Sequence, residues 1–173
     1  MHNSKIEIGI LGGSFDPAHK GHLAISKEAR KRFNLKKIIW AITKKNPLKA
    51  VSKTPVSKRI KDCKKLIGSN TFIKVKFYED TINSNKTIDL INYLKKNKKL
   101  EIFFLMGADN LISFHKWHKS KLITEKCNII VFDRHGYKKN SLKSKTFKKL
   151  NNKSLTFVKF KKVNISSSQL RKI

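Results

Sequence analysis

Cysteine is almost missing from this chain. Cys63 and Cys127 stand alone, with no CxxC and no cluster, so a disulfide framework is excluded and both read as reduced thiols. No apolar run approaches the roughly 18 residues that a membrane span needs. No signal-peptide pattern opens the sequence, and the expected location is the cytoplasm, with no membrane partner. Carboxylates are scarce as well: 11 Asp and Glu face 41 Lys and Arg, a formal charge of +30. Arginine is scarce within the basic set, with five against 36 lysines. Proteins that read nucleic acid lean on Arg forks and on aromatic residues set among the basic ones. Here the lysines are spread over the whole chain beside abundant Asn and Ile. That is the composition of a drifted sequence rather than of a patch, and no dedicated nucleic-acid partner is expected. The field would still draw in anionic substrates such as nucleotides.

What is present argues for a folded domain. The 173 residues, 39% hydrophobic and with 11 Phe, exclude intrinsic disorder and suit a single domain over 1–173. Apolar segments at 5–11, 36–42, 71–77, 100–107, 126–134 and 154–160 read as strands, and 21–33, 56–67 and 87–96 as helices, the second stopped by Gly68. The Lys- and Asn-rich stretch 138–153 reads as a solvated connector or irregular helix. Strands spaced by helices predict an α/β fold: a Rossmann-like, open, mainly parallel sheet with helices on both faces.

The first strand runs into GILGGSFDPAHKGHLAISKEA, Gly9–Ala29. An open parallel sheet binds its ligand at such a strand–helix junction. Gly12 and Gly13 allow close backbone approach to a phosphate, and the first-turn N–H groups of the helix favour an anion. The stretch is neither GxGxxG nor a P-loop. His19 is expected on the loop and His22 in the first helical turn, both facing one volume, where imidazole N–H groups can stabilise charge during phosphoryl or nucleotidyl transfer. The bland alternative is a pair of capping or core histidines. Zinc is disfavoured, since no third ligand of suitable spacing accompanies the pair.

GGSFDPAHKGHL resembles the HxGH signature of the nucleotidyltransferase superfamily. ISSSQLR (Ile165–Arg171) resembles that superfamily's second signature, a serine-rich helix start followed by an arginine fork. MGADNLISFHKW (Met106–Trp117) resembles a segment of the bacterial nicotinate mononucleotide adenylyltransferases. NPLK (Asn46–Lys49), KTIDLINYL (Lys86–Leu94) and DRHG (Asp133–Gly136) are similar to that family's other segments, so the resemblance runs from Ile8 to Arg171. It implies the nucleotidyltransferase fold and a reaction of ATP, with magnesium, and nicotinate mononucleotide to deamido-NAD and pyrophosphate, by direct in-line attack on the α-phosphorus. By resemblance His19, His22 and Arg171 are the catalytic residues. Gly12, Gly13, Ser14, Phe15, Asp109, Ser167 and Ser168 would join them around ATP. Lys49 would approach a substrate phosphate, Trp117 would stack on the pyridine ring, and Thr87 with the backbone near Ala108 would meet the carboxylate. No protein metal site is implied, since magnesium would be held mainly by the ATP phosphates. A homo-oligomer is compatible with the sequence.

Each assignment has a competitor. Trp117 at i+3 from Phe114 and i+6 from Leu111 fits a core anchor, with His115 and His118 facing solvent. Asp109 fits a helix cap, and the serine run fits one too. His135 replaces a frequent family Pro, Lys86 a frequent Tyr, and Asn46-Pro47-Leu48 departs from Pro-Pro-His. A related enzyme acting on nicotinamide mononucleotide or phosphopantetheine is the first alternative. An inactive basic RNA-binding module is the second.

Overall fold

Six short apolar segments lie side by side in one sheet: β1 (Ile6–Gly13), β2 (Lys37–Ile42), β3 (Ile73–Lys76), β4 (Leu100–Gly107), β5 (Asn128–Phe132) and β6 (Leu155–Val158). Their order is β3-β2-β1-β4-β5-β6, and all five pairings are parallel. The computed structural model describes residues 4–45, 51–150, 153–160 and 170.

Side-chain alternation divides the core between the two faces. Ile38, Trp40 and Ile42 of β2, Leu105 of β4, and Ile130 and Phe132 of β5 form one apolar cluster. Ile39 and Ala41, Ile102, Phe104 and Met106, and Ile129 and Val131 form the other. A parallel sheet covered on both sides requires near-continuous apolar strands, and these have them. The first face is covered by α1 (Lys20–Phe33), through Leu23 and Ala29, and by α2 (Val56–Ile67), through Ile60 and Cys63. The second is covered by α4 (Thr87–Leu94), α5 (Ala108–Ser113) and α6 (Ser120–Lys126), through Ile88, Ile91, Leu111 and Ile123. The short α3 (Glu79–Ile82) precedes α4, and a 3-10 turn, Phe114–Lys116, follows α5.

One expectation is resolved and one corrected. Of the two readings of the polar stretch after β5, connector or irregular helix, the helical one holds: it folds as α7 (Lys138–Leu142) and α8 (Lys145–Leu150). Buried Ser141 and Thr146 and the edge-on ring pair Phe147–Phe157 anchor it. Small hydroxyl residues carry that packing, so no apolar period advertises the helices. The strands are also shorter than their apolar runs at 71–77, 126–134 and 154–160, because pairing with a neighbour ends before the hydrophobic pattern does. Both cysteines are buried and free, and burial pushes each thiol up to about 12. Neither is a nucleophile at neutral pH. Among the described residues no helix is long and apolar enough to cross a membrane.

Candidate active site

The strand order places the topological switch between β1 and β4, and the loops at the carboxyl ends of these strands gather the chemistry. β1 ends in Gly12-Gly13. A Cβ built on Gly12 meets ring carbons of Phe104, and one on Gly13 meets the ring and the backbone nitrogen of Phe15, none nearer than 3.5 Å, which is ordinary contact. The fold therefore does not itself demand glycine here, and the open backbone is left for a ligand. Phe15 takes a left-handed conformation, φ 48°, costly for a bulky residue unless its surroundings enforce it. They do: its ring is buried, stacked 5.0 Å from Trp40 and 4.6 Å from His22. The side chain of Phe15 is thus a wedge beneath His22, and of the two contacts expected of this residue along a nucleotide, backbone or side chain, only the backbone one suits a buried ring.

His19 is the N-cap of α1 and His22 its third helical residue. Gly21 N–H donates to His19 Nδ1 and His19 N–H donates to His22 Nδ1, each at 3.1 Å. The rings lie 3.9 Å apart. So the capping alternative is realised, through the Nδ1 atoms. Each Nδ1 is an acceptor, which puts the ring proton on Nε2. Burial, reinforced by the positive charge of Arg134, lowers the His19 imidazole to about 4. At neutral pH it is an uncharged Nε2–H donor, held in one tautomer by the helix it caps. Beneath, Trp40 Nε1 donates to Ser26 Oγ and that hydroxyl to the His22 carbonyl, both at 2.8 Å. The indole therefore fixes the first turn of α1.

Arg134, in the turn after β5, reaches Asp109 in the first turn of α5 at 2.8 Å. A Cβ on Gly107 would stand 2.5 Å from Asp109 Oδ1, so glycine is needed for the carboxylate to fold back over the strand end. Asp109 is not the cap that the alternative reading offered: such a helix would begin at Asn110, whereas α5 begins two residues earlier, at Ala108, and Gly107 is its N-cap without a side-chain cap bond. The carboxylate instead holds Arg134 toward the histidines.

Sequence reading missed Arg59. It projects from α2 with 2% exposure. Its Nη1 donates to the Ser14 carbonyl at 2.6 Å and the Thr43 carbonyl at 2.7 Å, and its Nε to Thr54 at 2.9 Å. One guanidinium thus ties the loop after β1 to the loop after β2. Burial lowers its affinity for the proton, while the nearby Asp16 and Glu79 charges support it; Asp16 also accepts from Ser52 Oγ. The available signal was an arginine, one of five, within the apolar stripe Val56, Ile60, Cys63, Ile67. Only a fork can serve several carbonyls at once.

A narrow cleft, partly open to solvent, lies across the other face of the β1 end, lined by Gly12, Thr43, Glu79, Lys86, Thr87 and Phe104 among others. Half-buried Trp117 packs edge-on against the far side of Phe104, ring centres 5.9 Å apart, and 5.2 Å from Phe114. It is a core anchor with a remaining exposed part. Ala108 is wholly buried, so only its backbone can meet a ligand. His115 and His118 face solvent. Lys49, Ser167, Ser168 and Arg171 lie outside the described residues.

The comparisons agree with this geometry. The family model described as cytidylyltransferase-like matches residues 10–173. A probable nicotinate-nucleotide adenylyltransferase of Pelagibacter ubique (strain HTCC1062) is 66% identical over 173 residues, 100% of this chain and 96% of that one. A probable nicotinate-nucleotide adenylyltransferase of Clostridium botulinum (strain Eklund 17B / Type B) is 35% identical over 95% of this chain and 84% of its own. The fold is that of the Plasmodium falciparum nicotinic acid mononucleotide adenylyltransferase complexed with NaAD, with a TM-score of 0.76 at 21% identity over 96% of this chain and 82% of that chain. With a histidine pair in the first strand–helix turn and full-length relatives of one name, the chain belongs to the nicotinate-nucleotide adenylyltransferases, within the cytidylyltransferase-like family.

Proposed function

We propose that this protein transfers AMP from ATP to nicotinate mononucleotide in NAD biosynthesis. A phosphate oxygen of the mononucleotide attacks the α-phosphorus in line, the bond between the α-phosphorus and the bridging oxygen breaks, and pyrophosphate leaves with that oxygen. Such a reaction needs positioning and charge neutralisation rather than covalent help. The observation that carries the reading is the imidazole pair whose Nδ1 atoms are both bound to backbone N–H groups. That arrangement puts the proton of each ring on Nε2, the tautomer that can donate to an oxyanion at the end of β1.

Magnesium enters as the Mg·ATP substrate, with its charge on the phosphates. Among the described residues no three His, Cys, Asp or Glu side chains cluster to hold an ion of their own. Ser167, Ser168 and Arg171 would take the β- and γ-phosphates, and Lys49 an acceptor or ATP phosphate. Gly12, Gly13 and Ser14 would supply backbone along the nucleotide, and Asp109 would act through Arg134. Thr87 and the Ala108 backbone would address the nicotinate carboxylate, with the exposed part of Trp117 against the pyridine ring. Backbone and hydroxyl donors favour the acid over the amide, which needs an acceptor as well.

Pyrophosphate release from Mg·ATP, with nicotinate mononucleotide, nicotinamide mononucleotide and phosphopantetheine offered separately, tests the proposal. Release at least about tenfold faster with the nicotinate acceptor, a difference of about 1.4 kcal/mol in discrimination, is the expected outcome. Faster release with another acceptor overturns the assignment of the acceptor site and leaves the ATP end standing.

A further inference from the structure

Thr43 follows the last residue of β2 and lines the cleft opposite Thr87. Its backbone is fully engaged within the protein. The N–H donates to the Gly13 carbonyl at 3.0 Å, and the carbonyl accepts from Arg59 Nη1 at 2.7 Å. The hydroxyl differs: Thr43 Oγ1 is buried and has no hydrogen-bond partner among the described residues. A buried hydroxyl left unpaired is costly, and native proteins keep few of them. A valine of the same shape would fill the position without that cost, so the structure alone gives no reason for the oxygen.

The location supplies one. The cleft lies on the sheet face that packs against α4, among Phe104, Leu90 and Tyr78. The histidine pair stands by the opposite face, over Phe15 and Trp40. Gly12, at the end of β1, is shared between them. If the histidines hold the triphosphate, the cleft falls to the acceptor. The cleft combines an apolar lining, Phe104, Leu90 and Tyr78, with a few placed polar groups, Thr43, Thr87 and Glu79, the composition of small-molecule sites.

We propose that the Thr43 hydroxyl is a binding group for the acceptor, completing its hydrogen bonding only with an oxygen of the mononucleotide. This rests on the adenylyltransferase reading above. It makes Thr43 a residue whose oxygen serves the ligand at the expense of the empty protein.

Thr43→Val removes the hydroxyl and keeps the shape, and Thr43→Ser keeps the hydroxyl. The valine variant is expected to melt at the wild-type temperature or above it. Its KM for nicotinate mononucleotide should rise about fivefold, the size of one neutral hydrogen bond. Its KM for ATP should stay within about twofold, and serine should restore the acceptor KM. An acceptor KM within about twofold of wild type in Thr43→Val overturns the proposal while leaving the proposed function intact. A lower melting temperature with both KM values raised together assigns the hydroxyl to structure and also overturns it. Wild-type protein that releases no pyrophosphate with nicotinate mononucleotide removes the functional reading and this inference with it. Should the valine variant not fold, Thr43→Ala provides the same comparison without added bulk.

Discussion

Replacing Arg59 with methionine keeps the length of the side chain and removes every donor. Three carbonyls then lose short bonds to a charged group: Ser14 at 2.6 Å, Thr43 at 2.7 Å and Thr54 at 2.9 Å; the 3.4 Å approach to Lys44 counts for little. Hydrogen bonds to a charged group contribute about 1.5–3 kcal/mol each, and water entering beside the exposed loop segments replaces part of that, so the net loss should be about 3–5 kcal/mol. A urea slope of about 2 kcal/mol per molar converts this to a midpoint lower by about 1.5–2.5 M. Domains of this kind hold about 5–15 kcal/mol, so the variant remains folded without urea. Its loops after β1 and β2 are no longer tied to one cation, and KM should rise for ATP and for the acceptor. Arg59→Lys restores the charge but cannot span three carbonyls, and should fall between the two. Urea melts followed by fluorescence, with pyrophosphate release on the same samples, make the measurement. A midpoint within about 0.5 M of wild type together with unchanged kcat/KM would refute the tie.

His22→Ala should lower turnover by roughly 10²-fold, the usual loss for one preset charge-stabilising donor. It should also cost about 1 kcal/mol of stability, because the same ring caps α1; single-turnover kinetics beside a thermal melt separate the two, and near-normal turnover removes the catalytic role. His19 gives a pH signature. Its folded value near 4 lies below the ordinary 6.5, so the unfolded chain takes up a proton that the native state refuses. The stability His19 confers as a neutral group is whole above about pH 6.5 and drains away as the pH falls toward 4. His19→Asn, a good cap that does not titrate, should therefore gain on wild type in urea midpoint from pH 7 to pH 4, and a constant gap across that range would mean the imidazole is not depressed.

The sheet was legible because its signal is local. Apolar runs such as LEIFFLMG and IIWAI, interrupted by helices, specify buried parallel strands wherever they occur. The helix 56–67 with its stop at Gly68 could be read to the residue from apolar spacing and a glycine end. The histidine pair was equally plain, being three residues apart inside a glycine-framed turn. What sequence could not say was that both rings cap the helix through Nδ1, because that depends on where the backbone N–H groups of the same turn point. The inward turn of the Phe15 ring was illegible for the same reason, since only packing against Trp40 sets it.

Sequence by itself determined the six strands, the helices α1, α2 and α4 and the residues of the first strand–helix turn, because each follows from periodicity or from chemistry within about ten positions. Tertiary structure decided the rest. Arg59 bonds carbonyls 45 and 16 residues distant along the chain, Arg134 meets Asp109 across two strand ends, and the Thr43 hydroxyl is buried without a partner among the described residues, beside a cleft shared by β2 and α4. Long-range hydrogen bonds and desolvation are properties of position in space, and no local pattern encodes them.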